Sequence, residues 1–264
     1  MRRAAPAAVV FLATFLALGF LALPVVAIFA HVSPGKLAAQ LGNGVVTDAL
    51  VVSLRTTLAA QALVLALGTP AAWVLASRRF PGRSLLVTLV ELPLVLPPAV
   101  AGLGLLAAFG RMGLLHTSIP FTQTAVVLAV SFVASPLYVR AAIAAFEGVD
   151  ANVVAASRTL GAGPVKTFFR VILPLARGGL GAGEALAFAR GLGEFGATIM
   201  FAGSLQGVTQ TLPLAVYQEF DVDFKLALAL GGLLVLVSAV LLVTLKWLAS
   251  SSTSAFRFAP SSSS

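Results

Sequence analysis

Apolar runs of about twenty residues recur along this chain, each long enough for one α-helix to cross roughly 30 Å of hydrocarbon. Six are read: Pro6 to Ala30, Val51 to Ser77, Leu85 to Phe109, Thr124 to Ala145, Leu180 to Gly203 and Phe224 to Leu248. Composition agrees. Of 264 residues, 59% are hydrophobic and only 10% charged, whereas soluble domains carry about 25% charged residues. Fourteen prolines and twenty-four glycines fit the same picture, because membrane helices tolerate both better than soluble helices do. The expectation is an all-α integral membrane protein with six transmembrane helices. Met1-Arg2-Arg3 before the first run has the look of a signal-peptide start. That run is longer than the usual h-region, and no clear small-x-small cleavage site closes it, so a retained first span is expected.

Six spans place both termini on one side. Arg2, Arg3, Arg78, Arg79, Arg83, Arg140, Arg158, Lys166, Arg170, Arg177, Lys246 and Arg257 fall on that face. The opposite face holds only Lys36, Arg55, Arg111 and Lys225, beside Asp48, Glu219, Asp221 and Asp223. Basic residues flanking membrane spans stay inside, so the chain is expected to be multi-pass in the cytoplasmic (inner) membrane with both termini cytoplasmic. The net charge of +8 then reports orientation in the lipid bilayer, and no nucleic-acid partner is expected.

Several chemistries drop out. The chain has no cysteine, which excludes disulfides, thiolate metal sites and cysteine nucleophiles. His31 and His116 stand alone, without acidic or histidine neighbours, so no metal site is expected. No nucleophile–base constellation supports an enzyme. The stretch Gly161-Ala162-Gly163-Pro164-Val165-Lys166-Thr167 imitates a phosphate loop, but that motif needs glycine immediately before the lysine and a preceding strand. Val165 stands there instead, and its bulk would block the close backbone approach.

The longest cytoplasmic loop, residues 146–179, is organised. A helical stretch is expected near Asn152 to Leu160, then a turn at Gly161-Ala162-Gly163-Pro164. A second amphipathic piece, Val165 to Ile172, is expected to stop at Pro174. The segment "VAASRTLGAGPVKTFFRVILPLA" resembles the EAA loop of ABC importer permeases. That pattern begins E-A-A, places a glycine seven residues after the glutamate and then reads I-x-L-P. Ala155, Ala156, Gly161, Ile172, Leu173 and Pro174 carry the match, and Val154 stands where the glutamate is usual. The stretch Ser53 to Arg83 looks like the second span and following turn of these permeases. Glu91 to Leu115 and Leu192 to Tyr217 are similar to the molybdate type in particular.

The resemblance implies a type I ABC importer permease bundle, residues 1–249 forming one transmembrane domain and residues 250–264 a serine-rich flexible tail. It makes the loop a cytoplasmic coupling helix docking in a groove of an ATPase subunit, with Ala155, Ala156, Arg158, Leu160, Gly161, Ala162, Pro164, Phe168, Ile172 and Pro174 as the docking set. It implies a homodimer, two cytoplasmic ABC ATPase subunits that hold the ATP-Mg, and an external oxyanion-binding protein; this chain itself binds no cofactor. The implied cargo is molybdate or tungstate. Sulfate or thiosulfate is the alternative within the family, and an ATP-independent secondary transporter or channel the alternative outside it.

The fifth span carries three ionisable residues, Glu184, Arg190 and Glu194, among glycines and alanines. A charge at mid-bilayer costs roughly 2.5–3.5 kcal/mol on insertion scales, so these side chains should face protein or water. Arg190 and Glu194 share a helix face at i, i+4; Glu91 in span three is an alternative partner for Arg190. Two readings stand side by side: Arg190 and Glu194 line and gate a translocation path, or they form a buried structural pair. Thr198, Ser204, Thr209 and Thr211 are hydroxyl candidates for anion contact. Pro93, Pro97 and Pro98 are expected to kink span three. Gly191, Gly193 and Gly196 fall in a G-x-G-x-x-G spacing, but no strand or sheet is available for a dinucleotide loop. They are expected to be close-packing positions on a helix.

Overall fold

The computed structural model describes residues 4–32 and 34–251. Arg2, Arg3, Arg257 and the serine-rich tail past residue 251 lie outside the described residues. Among the described residues every regular element is helical. Five helices are long and apolar enough to cross a membrane, and a bent pair makes a sixth crossing if counted as one.

Helices α3 (Gly44–Ser77), α6 (Gln123–Glu147) and α9 (Leu173–Leu192) form the centre of the bundle. Small residues let their backbones approach. A Cβ on Gly183 of α9 would stand 2.6 Å from Ala141 Cβ of α6, and one on Gly68 of α3 would stand 3.0 Å from the Tyr138 ring. Lipid gives helices little hydrophobic reason to associate, so close packing and interhelical hydrogen bonds take that role. Ser131 Oγ donates to the Ala60 carbonyl (3.3 Å), and Thr69 Oγ1 shares a 2.6 Å hydrogen bond with the Tyr138 hydroxyl.

The other elements surround this trio. Helix α1 (Ala4–His31) leaves Phe11, Phe15 and Phe20 exposed as a lipid-facing helix should, and near its end Ile28, with Leu37 of α2 (Pro34–Gln40), closes on Gly232 of α12 (Phe224–Ser251). Helices α4 (Arg83–Val95) and α5 (Pro98–Phe109) meet at 115°. The expected kink in span three is thus a full break. Its cause is local: the residue before a proline is held extended, and Leu96 (ψ 133°) and Pro97 (ψ 132°) precede successive prolines.

Span five also departs from expectation. It starts earlier, at Pro164, and runs to Leu192 through α8 (Pro164–Thr167), a π-helical turn (Phe168–Ile172) and α9. Pro174 does not stop it. A proline in an α-helix lacks an N–H and its ring collides with the carbonyl four residues back. The wider π turn relieves this, its last bond running from Leu173 N–H to the Phe168 carbonyl. At the far end the span stops at Leu192, and a separate short helix, α10 (Gly196–Ala202), follows. Beyond it lies α11 (Leu212–Glu219), whose Leu212 N–H donates to Ser53 Oγ of α3 at 2.7 Å.

Candidate functional site

Two places carry the candidate residues: a turn at the basic end of the bundle and a break at the far end of span five.

At the basic end, α7 (Ala151–Thr159) occupies the expected helical stretch. Asp150 caps its start, Oδ1 accepting the Asn152 N–H at 2.8 Å. Its end is a Schellman closure: Gly161 N–H bonds the Arg158 carbonyl and Ala162 N–H the Ser157 carbonyl. This geometry puts Gly161 at φ +83°, a conformation that a Cβ penalises. Pro164 then opens α8 in the position where its missing N–H costs nothing. Two hydroxyls to which the sequence reading gives no role fasten the turn, Ser157 Oγ and the buried Thr167 Oγ1 sharing a 3.1 Å hydrogen bond.

The ten docking candidates divide by burial. Ile172 is buried and Phe168 half-buried, and Phe168 joins an aromatic cluster with Trp73 (centroids 5.3 Å) and Phe146 (6.1 Å) that anchors the turn on α3 and α6. Val154 packs on the same core, so an apolar contact stands where the pattern has a glutamate. Ala155, Ala156, Arg158, Gly161, Pro164 and Pro174 are exposed, Ala162 is half-buried, and Leu160 is 88% exposed at the tip beside exposed Val165. A rigid helix–turn with an apolar tip is thus presented away from the bundle.

The break at the far end of span five lies between α9 and α10. Arg190 Nη1 and Glu194 Oε2 stand 2.7 Å apart as an ion pair, with Glu194 2% exposed and the Arg190 side chain 35% exposed. Glu194 Oε1 also accepts the Ala197 N–H at 2.7 Å. One carboxylate therefore ties the last turn of α9 to the first turn of α10. The pair does not ride on one continuous helix, as the i, i+4 spacing suggested. Glu91 is not the partner of Arg190: it pairs with Arg140 at 3.1 Å, because α4 packs along α6. Of the three glycines, Gly191 and Gly196 are close-packing positions, added Cβ atoms standing 2.9 Å from Val130 Cγ1 and 2.6 Å from Pro98 Cβ. Gly193 is not; its nearest neighbour would be the Ala189 carbonyl at 3.8 Å.

The hydroxyl candidates part company. Thr198 and Thr211 are buried with no hydrogen-bond partner for either Oγ1. Thr209 Oγ1 accepts the Leu205 N–H (3.0 Å), and Ser204 Oγ donates to Gln218 Oε1 (2.9 Å), so both shape the loop after α10. Sequence reasoning missed Gln61, a buried amide on α3 whose Nε2 donates to the Ala187 carbonyl at 3.3 Å and whose Oε1 is unpartnered. A buried glutamine in an apolar helix was the available signal.

The family described as binding-protein-dependent transport system inner membrane component matches residues 68–251. The molybdenum transport system permease protein ModB of Mycobacterium tuberculosis is 44% identical over 243 residues, covering 89% of this chain and 91% of the relative. A probable molybdenum ABC transporter permease of Haloferax volcanii is 42% identical over 229 residues, covering 84% and 83%. Among solved structures, the inward-facing MetNI methionine ABC transporter superposes with a TM-score of 0.64 at 18% identity, covering 79% of this chain and 96% of that one. The fold is that of a type I ABC importer permease, and this multi-pass chain belongs to the family of inner membrane components of binding-protein-dependent transport systems.

Proposed function

We propose that this chain is the permease subunit of an ATP-driven importer of molybdate-type oxyanions, acting as a homodimer with two cytoplasmic ATPase subunits and an external binding protein. The observation that carries the reading is the α7 turn: a capped, aromatically anchored helix with Leu160 and Val165 exposed at its tip suits helix-in-groove docking. Relatives named for molybdenum transport support the cargo. The basic end is then cytoplasmic, with both termini on that side. ATP-Mg belongs to the partner subunits, since this chain carries no phosphate-loop motif.

Motion reaches the membrane through one element. From Pro164 to Leu192 the chain is a single helical rod of 29 residues. At roughly 1.5 Å per residue it spans about 43 Å. Closure of the ATPase dimer displaces α7, the rod transmits the displacement, and the break at Gly193–Phe195 passes it to α10 and the packed α5. In this scheme Glu194 is the structural link, and Arg190, partly exposed, offers a positive charge to a passing dianion. Thr198 and Glu91 are not direct contacts in this scheme: the first is buried and the second is paired with Arg140.

The test is uptake into proteoliposomes holding the permease, its ATPase and the binding protein. Molybdate uptake should need ATP and be abolished by Leu160→Asp, with the variant still folded and membrane-inserted. ATP-independent uptake, or unchanged uptake by Leu160→Asp, overturns the proposal.

A further inference from the structure

A cleft of about 790 Å³ opens at the basic end, between the end of α3, the start of α4, the end of α6 and α7. Its walls carry three guanidinium groups, Arg79, Arg83 and Arg158, and one carboxylate, Glu147. That carboxylate is already engaged: Glu147 Oε1 stands 2.5 Å from Arg83 Nη2, while Arg83 Nε donates to the Leu75 carbonyl at 2.6 Å. Arg83 is thereby explained, as a cation closing the carbonyl end of α3. Arg79 and Arg158 make no ion pair among the described residues.

Orientation in the membrane accounts for arginines at this end of the bundle, but not for two uncompensated ones lining a single concave space. The volume lies within the roughly 300–1,000 Å³ typical of small-ligand sites. Trp73 and Phe146 form part of the wall, and a low-dielectric wall concentrates the field of the charges beside it. Guanidinium groups match tetrahedral oxyanions by paired N–H donation, which a lysine ammonium does not reproduce.

We propose that this cleft binds a phosphate-type oxyanion, held between Arg79 on the turn after α3 and Arg158 on α7, either as a free anion or as the headgroup of an anionic lipid. The two arginines sit on different parts of the molecule, one on the membrane bundle and one on the docking helix. A bound anion therefore clamps α7 to the bundle and acts as an effector of coupling. Only this consequence rests on the docking role proposed above; binding itself does not.

The experiment uses the permease–ATPase complex in nanodiscs. In discs of phosphatidylcholine alone, with the ATPase nucleotide sites saturated with ADP, pyrophosphate is titrated by calorimetry. In discs containing phosphatidylglycerol, retained lipid is counted by native mass spectrometry. The free-anion source predicts saturable pyrophosphate binding, weakened at least about tenfold in the double variant Arg79→Gln/Arg158→Gln. The lipid source predicts phosphatidylglycerol retained by the wild type and lost from that variant. Arg79→Lys/Arg158→Lys keeps the charge and should fall between, which separates loss of a site from loss of fold. Absence of both binding modes overturns the proposal, as does equal binding by the Gln variant. So does a Gln variant whose sole defect is release of the ATPase, because the arginines would then be docking contacts. A complex that binds the anion in this pattern yet carries no molybdate would overturn the cargo and leave the cleft intact.

Discussion

Two interruptions punctuate this chain between α7 and α10, and they are held by opposite means. The turn at Leu160–Gly163 is closed by its own backbone: a Schellman pair, a glycine at positive φ and a proline opening the next helix. The break at Gly193–Phe195 has no Schellman pair and no glycine at positive φ. It is held by a buried carboxylate reaching to Arg190 and to the Ala197 N–H, and by α5 seated against α10. Exposure explains the difference. Water solvates the first turn, so only its shape must be specified. The second lies among apolar helices, where every polar group needs a protein partner.

The second break is most vulnerable at Glu194. Glu194→Ala leaves the partly exposed Arg190 and the buried Ala197 N–H without their shared partner, which should cost about 3 kcal/mol, read as a fall in the thermal midpoint in detergent. An unshifted midpoint would mean that the second break is not held from within. Space is the next lever. Gly196→Val drives a side chain into Pro98 and should cost about 2 kcal/mol, while Gly193→Ala, with room around it, should leave the midpoint nearly unchanged. Equal effects would dismiss the steric account. At the first turn, Gly161→Val forces a β-branched residue into φ +83° and should cost about 1.5 kcal/mol. Gly161→Asn, which tolerates that region, should retain most of the stability and of the ATPase co-purified with the chain. Arg140→Gln removes a well-exposed ion pair with Glu91 and should shift stability by less than about 1 kcal/mol; a larger drop would give the α4–α6 contact a weight that its exposure does not suggest.

The same contrast decides what could be read in advance. Gly161 and Pro164 declare the first turn because capping is local chemistry, and the apolar runs declare the spans because bilayer thickness sets their length. Glu194 as a helix cap was hidden, since the span looked continuous and only tertiary packing of α10 on α5 breaks it. The Glu91–Arg140 pair was hidden for a similar reason: it depends on which helix α4 lies along. Pro174 misled outright. The rule that proline ends a helix assumes α-type hydrogen bonding, and the chain changed the bonding instead.

That change has a geometric consequence. A π turn holds roughly one residue more than an α turn, so the helix before it is rotated by about 100° relative to an uninterrupted one. The five residues Phe168–Ile172 therefore act as a phase shifter between the membrane rod and the tip at Leu160. Deleting one of them would leave both ends intact as helices and point the tip toward a different azimuth. The azimuth at which the tip leaves the bundle is set by a single inserted residue.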